Sequence, residues 1–207
     1  MSPRIYSIEG NIGAGKTTLL EKVESCKYAK VVVLREPVDA WTSIRDSTGE
    51  NILEKFYKDP ATFSFAFQIL AFHTRIQSLK KTIAENPDCE IILCERSLHA
   101  DGHIFAKMLY DDGMINEISY KIYRKMYFDG LAEFPLAGVI YMDVEPTVCA
   151  ERIVKRGRAG EDNIQLSYLE RCHEYHETWL NGDVEYPVEK YTDIDGILRF
   201  MNYSGGV

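Results

Sequence analysis

The chain has 207 residues, of which 45% are hydrophobic and 27% charged, and this composition excludes intrinsic disorder and collagen-like structure. Its 24 lysines and arginines against 32 aspartates and glutamates give a net charge of −8, which argues against a nucleic-acid polymer as partner. A chain of this length can bury one sizeable core, so we expect a single domain over residues 1–207.

Compartment is indicated by cysteine usage and by hydropathy. The five cysteines are odd in number and scattered, with no CxxC pair, which predicts reduced thiols. No apolar run approaches the roughly 18 residues that a membrane span needs, and no signal-peptide pattern precedes the first apolar run. We therefore expect a soluble cytoplasmic protein without a membrane partner.

Short apolar runs alternate along the chain with longer amphipathic stretches. The runs at 5–8, 31–34, 91–94 and 138–142 predict buried parallel strands, and 188–192 is a candidate fifth strand. Residues 61–85 predict a long helix ended by Asn86-Pro87-Asp88, and 194–201 predicts a last helix. This order predicts an α/β fold with a doubly wound, about five-stranded parallel sheet that binds ligands at the carboxyl ends of its strands.

A glycine-rich motif follows the first predicted strand and matches GxxxxGK[ST]. Its residues are Gly10, Asn11, Ile12, Gly13, Ala14, Gly15, Lys16, Thr17 and Thr18. Backbone N–H groups of such a loop face phosphate oxygens, Lys16 adds a positive charge, and Thr17 can bind Mg²⁺. Because no NKxD or DxxG guanine-nucleotide motif is present, the loop favours a small-molecule kinase over a GTPase.

Charged side chains follow the second and third predicted strands. Glu36 lies two residues beyond the second strand, and Glu95 and Arg96 follow the third. These positions lie at the same sheet edge as the phosphate loop. In-line phosphoryl transfer to a hydroxyl needs a proton acceptor, Mg²⁺ and cations around the transferred group, so these three residues are candidates for those roles.

Several motifs in a fixed order together resemble the deoxyribonucleoside kinase family, which includes deoxycytidine, deoxyguanosine, mitochondrial thymidine and insect multisubstrate kinases. The motifs are Gly10 to Thr18, Glu36-Pro37-Val38 with Trp41, Tyr57-Lys58-Asp59-Pro60, Phe67-Gln68, Glu95-Arg96-Ser97, Glu151-Arg152-Ile153, Arg156-Gly157-Arg158 and Tyr168-Leu169. The resemblance spans nearly the whole chain. It implies a P-loop NTPase-type fold and ATP-dependent transfer of the γ-phosphoryl group to the 5′-hydroxyl of a deoxynucleoside.

The resemblance also implies catalytic roles. Glu36 receives the 5′-hydroxyl proton, Arg96 holds Glu36 and the reacting oxygens, Lys16 contacts the donor phosphates, and Glu95 supports Mg²⁺ together with Thr17. A lid at about 152–163 closes over the donor phosphates with Arg152, Arg156 and Arg158.

Acceptor contacts follow in the same way. Tyr57 and Glu161 resemble the pair that binds the sugar 3′-hydroxyl, and Gln68 offers one amide donor and one acceptor to a base edge. The resemblance implies stacking rings and pocket walls at Phe67, Phe105, Ile12, Trp41 and Leu109. Arg75 and Asp101 match the pair of deoxycytidine and deoxyguanosine kinases, which predicts that thymidine is a poor substrate.

Several alternatives stay open at this point. The chain could be a nucleoside monophosphate kinase similar to thymidylate kinase, or a catalytically silent structural subunit. Each aromatic residue could be ordinary core packing, Arg75 and Asp101 could form a purely structural ion pair, and His173 with His176 could suggest a metal site, although no third ligand stands at a convincing spacing. Gly102 stands where several relatives carry a cationic residue. The family also suggests a homodimer through helices at 61–85 and 114–130. The preferred phosphate donor, ATP or UTP, stays open.

Overall fold

A computed structural model describes residues 2–158, 161, 164–191 and 193–203. Within these residues, five strands form one sheet in the order β2-β3-β1-β4-β5, and every neighbouring pair is parallel. The strands are β1 Arg4–Gly10, β2 Val31–Leu34, β3 Ile91–Glu95, β4 Leu136–Met142 and β5 Val188–Lys190. The predicted α/β fold with a parallel sheet is confirmed.

Helices connect these strands. Their bounds are α1 Lys16–Ser25, α2 Val38–Thr42, α3 Ile52–Lys58, α4 Pro60–Glu85, α5 Leu98–Ala100, α6 Lys107–Asp111, α7 Glu117–Glu133, α8 Pro146–Arg156, α9 Leu166–Leu180 and α10 Ile194–Phe200. A π-helical segment, Asp101–Ala106, joins α5 to α6 without a break. None of the described helices has the length and apolar character needed to cross a membrane.

Most predicted boundaries hold to within two residues. The helix predicted at 114–130 begins later, at Glu117, because the Asn116 side chain accepts a hydrogen bond from the Ser119 backbone N–H (2.9 Å) and caps the helix there. The fifth strand ends at Lys190, before the predicted end at 192, and Thr192 lies outside the described residues.

The central strands are apolar because the sheet is covered on both faces. Ile5 and Ile92 pack with α3, α4 and α7 on one face, whereas Ile8 and Leu93 pack with α1 and α10 on the other. Side chains alternate between the two faces, so a strand covered on both sides needs apolar residues at successive positions. This layered arrangement leaves the carboxyl edge of the sheet for polar chemistry.

The π-helical segment lies very close to α7 at Gly102. A Cβ atom at Gly102 would lie 2.3 Å from the Tyr127 ring of α7, so only glycine fits there. This contact requires glycine at position 102 beside α7. π-Helical turns are frequent at functional sites, and this one carries two of the predicted site residues, Asp101 and Phe105.

Candidate active site

A cavity of about 300 Å³ lies at the carboxyl edge of the sheet, where β1, β2 and β3 end. It brings together most of the predicted site residues, although they are far apart in the sequence. Those on its wall are Ile12, Gly13, Lys16, Thr17, Glu36, Trp41, Tyr57, Phe67, Gln68, Arg75, Glu95, Arg96, Asp101, Phe105, Arg156, Arg158 and Glu161. The position agrees with ligand binding beyond the carboxyl ends of parallel strands.

The glycine-rich loop closes one end of the cavity. A Cβ at Gly13 would lie 2.6 Å from the Cys149 carbonyl oxygen of α8, and the φ of Gly13 is +81°. Both the close approach and the left-handed backbone therefore require glycine. The Lys16 ammonium donates to the backbone oxygens of Gly10 (3.1 Å) and Asn11 (2.7 Å). Burial lowers the pKa of Lys16 to about 8, and the nearby Arg96 guanidinium acts in the same direction. Lys16 is thus held inside the loop that it is predicted to serve.

The remaining loop residues are tied to the helices behind them. The Asn11 side chain donates to the Leu169 carbonyl oxygen of α9 (2.8 Å) and accepts from the Ile12 N–H (2.9 Å). Arg152 of α8 donates to the Ala14 carbonyl oxygen (3.0 Å) and does not line the cavity. Arg152 therefore braces the phosphate loop in this structure, rather than standing beside Arg156 and Arg158.

Thr17 and Glu95 meet as the sequence predicted. The Thr17 hydroxyl donates to both carboxylate oxygens of Glu95, at 2.9 and 3.1 Å. A hydroxyl and a carboxylate are oxygen donors of the kind that Mg²⁺ prefers, and Mg²⁺ bound at a phosphate loop takes few protein ligands. The donor set fits the ion.

Glu36 sits between two buried arginines. Its Oε1 atom lies 3.2 Å from Arg75 Nη2 and 3.3 Å from Arg96 Nε. Burial opposes ionisation of Glu36, but the charges of Arg96, Arg75 and Lys16 outweigh burial and hold the pKa of Glu36 below its usual value. Glu36 is therefore a carboxylate at neutral pH, with cations around it.

Arg75 also holds Asp101 through a two-point contact. Arg75 Nε lies 2.9 Å from Asp101 Oδ2, Nη2 lies 3.3 Å from Oδ1, and Nη1 donates to the Glu95 carbonyl oxygen (2.9 Å). The two side chains are only 5% and 4% exposed. Burial raises the pKa of Asp101 above its usual value, while the Arg75 guanidinium opposes that shift. The predicted orientation of Asp101 by Arg75 is present.

Aromatic rings form the wall opposite this ion pair. Phe67 stacks on Phe56 with ring centroids 4.7 Å apart and meets Trp41 edge-on at 5.3 Å. Gln68 is 3% exposed, and its amide has no hydrogen bond within the described residues. The Arg96 guanidinium lies over the Phe105 ring, 4.7 Å from its centroid. The cavity thus combines flat apolar surfaces with one buried amide, which suits a flat polar ring.

The prediction that Leu109 lines the pocket is wrong. Leu109 is buried in the core beside Tyr120 and Tyr123 of α7 and is absent from the cavity wall. The prediction used the four-residue spacing of an α-helix from Asp101 through Phe105. The intervening segment is π-helical, with more residues per turn, so that spacing no longer keeps all three side chains on one face.

The lid arginines converge on one buried carboxylate. Glu161 is 4% exposed and accepts hydrogen bonds from Arg156 Nη2 (2.6 Å) and Arg158 Nη1 (3.2 Å). The α8 helix ends at Arg156, and Gly157 follows in the left-handed conformation with φ +63°. Of the predicted lid at 152–163, residues 159, 160, 162 and 163 lie outside the described residues.

Sequence reasoning did not assign several residues in and behind this site, of which Tyr168 and Glu9 matter most for the argument. Tyr168 of α9 lies on the cavity wall and meets Tyr57 edge-on, with ring centroids 6.4 Å apart. Glu9 is fully buried in β1, and its Oε1 accepts a hydrogen bond from the Ser97 hydroxyl (2.6 Å). Burial raises the pKa of Glu9 to about 7. Glu9 directly follows the apolar run at 5–8, and carboxylates are seldom fully buried, so sequence reasoning had little signal for a buried Glu9.

The two histidines of α9 differ. His176 is 1% exposed, and its Nδ1 lies 2.6 Å from the Cys172 carbonyl oxygen. His173, in contrast, has Asp143 and Glu177 nearby, with ligand atoms of all three within 4.8 Å of one another. His176 is not part of this group, so the two histidines do not form one metal site with a third ligand, and Asp143 already forms an ion pair with Lys190 (2.7 Å).

Comparison with known proteins gives consistent results. The family model for deoxynucleoside kinases matches residues 6–203. A fowlpox virus protein named probable deoxycytidine kinase is 36% identical over 183 residues, covering 87% of this chain and 73% of the relative. Deoxycytidine kinase 2 of Gallus gallus is 36% identical, covering 86% and 74%. The mitochondrial deoxyguanosine kinase of Xenopus laevis is 32% identical, covering 87% and 74%.

Proposed function

Because the chain belongs to the deoxynucleoside kinase family and is an enzyme of that class, we propose that it transfers the γ-phosphoryl group of ATP to the 5′-hydroxyl of deoxycytidine or a purine deoxynucleoside, in preference to thymidine. The observation that carries this proposal is the charge cluster of Glu36, Arg75, Arg96 and Asp101 between the phosphate loop and the aromatic wall.

Glu36 is the proton acceptor in this reaction. The 5′-oxygen forms a bond to the γ-phosphorus, the bond from that phosphorus to the bridging β,γ-oxygen breaks, and the hydroxyl proton passes to the Glu36 carboxylate. Since such transition states are loose, orientation and charge stabilisation matter more than the strength of the base. Arg96 and Lys16 supply that charge from fixed, buried positions, so little reorganisation is needed during the reaction.

The donor side uses the phosphate loop and the lid. Thr17 and Glu95 would hold Mg²⁺, which neutralises charge on the donor phosphates when it is bound. Arg156 and Arg158 lie on the cavity wall, where they would turn from Glu161 to the γ-phosphoryl group when ATP binds. Because both arginines bond the single Glu161 carboxylate, moving them to a phosphate exchanges one anionic partner for another.

Base choice follows from the Arg75–Asp101 pair and Gln68. With its carboxylate oriented by Arg75, Asp101 can accept from an exocyclic amino group of cytosine or adenine. Thymine presents an oxygen acceptor and a methyl group at that position, so two acceptors would face each other. Leaving such buried groups unpaired costs about 1–3 kcal/mol, which disfavours thymidine by tenfold or more.

Two residues of the cavity wall are placed to contact the sugar. Tyr57 and Glu161 both line the cavity, and burial followed by the Glu161 charge raises the pKa of the Tyr57 phenol. A neutral phenol can donate to the 3′-hydroxyl while the carboxylate accepts from it. We assign the 3′-hydroxyl to this pair.

A homodimer through α4 and α7 is the assembly that we propose. Ile118, Ile122 and Met126 recur every four residues along α7, and they are 70%, 50% and 37% exposed. An apolar stripe of this kind is typical of a helix surface covered by a partner. Light scattering on the purified protein, compared with an Ile118→Glu plus Ile122→Glu variant, tests this assembly.

The activity is tested by phosphoryl-transfer assays with the four deoxynucleosides and their monophosphates, each with ATP and with UTP. We expect deoxycytidine or a purine deoxynucleoside to give the highest kcat/KM and thymidine at least tenfold less. Turnover of a monophosphate but of no nucleoside would overturn the proposed acceptor. Absence of any turnover would instead support a silent structural subunit.

A further inference from the structure

The last three residues of β1 all hold the turn that carries Arg96. The Ile8 carbonyl oxygen accepts from the Arg96 N–H (3.0 Å), and the Gly10 carbonyl oxygen accepts from Arg96 Nη1 (3.0 Å). Between them, Glu9 Oε1 accepts from the Ser97 hydroxyl (2.6 Å). Glu9 is the one of these three that acts through its side chain, so substitution can test its part in the turn.

The turn needs such support because its backbone is strained. Arg96 has φ +62°, in the left-handed region that a non-glycine residue rarely adopts. Residues in that region persist only where the surrounding structure holds them, and they cluster at functional sites. Arg96 also contacts Glu36, so its placement affects the proton acceptor as well as the phosphoryl group.

The hydrogen bond from Ser97 to Glu9 has a fixed direction. The Ser97 oxygen already accepts from the Ala100 N–H (3.1 Å) and thereby caps α5. A serine hydroxyl has a single hydrogen, which is left to point at Glu9 Oε1. Glu9 therefore sets the rotation of the Ser97 hydroxyl at the point where the chain leaves Arg96 and enters the helical segment with Asp101.

We propose that Glu9 is a positioning residue for phosphoryl transfer: its carboxylate oxygen anchors Ser97, and through Ser97 it keeps the strained Arg96 backbone aimed at the reacting oxygens. This inference rests on the proposed function, because that function gives Arg96 its role at the transferred group. Glu9 is not on the cavity wall, so it acts on the reacting groups only through Ser97. Burial raises the pKa of Glu9, and a donated hydrogen bond favours its carboxylate form.

Two substitutions of similar size separate positioning from charge. Glu9→Gln keeps an oxygen acceptor for Ser97 but loses the charge, whereas Glu9→Met loses the acceptor as well. We expect Glu9→Met to lower kcat by about 10- to 100-fold, since small displacements of a catalytic group have effects of this size, with both KM values changed by less than about threefold. Glu9→Gln should keep kcat within about threefold of the parent.

Each other outcome overturns the inference. Equal losses in the two variants would assign the effect to the negative charge near Arg96, Arg75 and Lys16, and an unchanged kcat in Glu9→Met would leave Glu9 a structural role only. If Glu9→Met shows no cooperative thermal unfolding, the same hydrogen bond is tested at Ser97. We then expect Ser97→Ala to lower kcat and Ser97→Thr, which keeps the hydroxyl, to preserve it.

A parallel Arg96→Met variant distinguishes the two proposals. If Arg96→Met retains the parental kcat, the proposed role of Arg96 fails, whatever the Glu9 variants do. If Arg96→Met loses kcat and Glu9→Met does not, the positioning role of Glu9 fails alone.

Discussion

The cavity holds its arginines in two different ways. On the acceptor side, the Arg75 and Arg96 side chains are 5% and 4% exposed, and each bonds a backbone carbonyl as well as a carboxylate. On the lid side, Arg156 and Arg158 are 34% and 37% exposed, and the described residues give both the same partner, Glu161. The acceptor side is built before substrate arrives, whereas the lid side uses contacts that an incoming phosphate can replace.

The difference has an energetic basis. Removing one partner from a buried ion pair costs roughly 3–5 kcal/mol because the remaining charge is left without compensation. Partly exposed pairs contribute about 0–1 kcal/mol, and salt screens them further. Arg75 and Arg96 therefore cannot leave their partners cheaply, which suits groups that must stand still during the reaction. Arg156 and Arg158 are each about a third exposed, so water or a phosphate can replace their contact with Glu161 at a lower cost than at Arg75 or Arg96.

The largest predicted effect compares one arginine from each side. Arg96→Met removes a fixed cation beside the transferred group, so we expect kcat to fall by about 10²- to 10³-fold. Arg158→Met removes an exchangeable cation and should act mainly by raising the KM for ATP. Steady-state kinetics on both variants at saturating deoxynucleoside gives the measurement. Equal losses of kcat in the two variants would contradict the proposed difference between the two sides.

The second effect concerns selectivity on the fixed side. Replacing Arg75 by Met together with Asp101 by Ala removes the buried pair as a unit, so no lone charge remains. We expect kcat/KM for thymidine to rise at least tenfold relative to deoxycytidine, because the acceptor that opposes the thymine oxygen is gone.

Matched controls make that experiment decisive. Arg75 also contacts Glu36, so the double variant should lose some kcat with every substrate, and only the ratio between substrates reports on base choice. An Arg171→Met variant removes an arginine that pairs with Asp112 away from the cavity and should leave the ratio unchanged. If the double variant keeps the parental ratio, Arg75 and Asp101 form a structural pair and selectivity lies elsewhere.

Much of this fixed side could be predicted from the sequence because its residues follow strand ends. A glycine-rich loop after β1 and carboxylates after β2 and β3 must meet at one edge of a parallel sheet, so the motif placed Lys16 and the predicted strand ends placed Glu36 and Glu95. The base and sugar contacts came from family resemblance, since a lone aromatic or glutamine has no such positional signal.

The errors have physical causes that a sequence does not display. Leu109 was misplaced because the π-helical segment Asp101–Ala106 changes the helical repeat, and no residue pattern in the sequence marks that segment. Arg75 was expected to orient Asp101, but its additional bonds to Glu36 and to the Glu95 carbonyl depend on the crossing of α4 over the ends of β2 and β3.

The third effect tests the partner of the exchangeable side. Glu161→Ala removes the acceptor assigned to the sugar 3′-hydroxyl, so we expect KM for deoxynucleosides to rise by about tenfold and the penalty for 3′-deoxy analogues to shrink. Tyr57→Phe should act in the same direction. Competition assays between a deoxynucleoside and its 3′-deoxy analogue measure the penalty. Parental discrimination in both variants would remove the sugar-site assignment.

The same substitution frees two cations. Without Glu161, Arg156 and Arg158 keep their charge but lose their carboxylate, so we expect KM for ATP to fall or stay unchanged in Glu161→Ala. A large rise in KM for ATP would indicate that Glu161 orients the two arginines toward ATP, rather than only pairing with them when ATP is absent.

The smallest effect concerns α9, which lies behind the lid side and carries Tyr168 to the cavity. Burial, followed by the charge of Arg96, holds the pKa of His176 well below its usual value, so the folded protein keeps this histidine neutral. In the unfolded chain it titrates normally, near pH 6.5. As pH falls below 6.5, the unfolded state binds a proton that the folded state does not, and stability is lost by at most about 1.4 kcal/mol per pH unit.

Urea unfolding at pH 7 and pH 5.5 measures this loss, with His176→Gln as the test and His73→Gln, at an exposed position on α4, as the control. Glu9 contributes with the opposite sign, because its raised pKa makes the folded state take up a proton first, but that contribution is common to all three proteins and cancels in the comparison. We expect the acid-induced loss to be about 1 kcal/mol smaller in His176→Gln than in the parent and unchanged in His73→Gln. An identical loss in all three proteins would mean that the folded state tolerates a protonated His176, and that the packing around α9 adjusts to the charge.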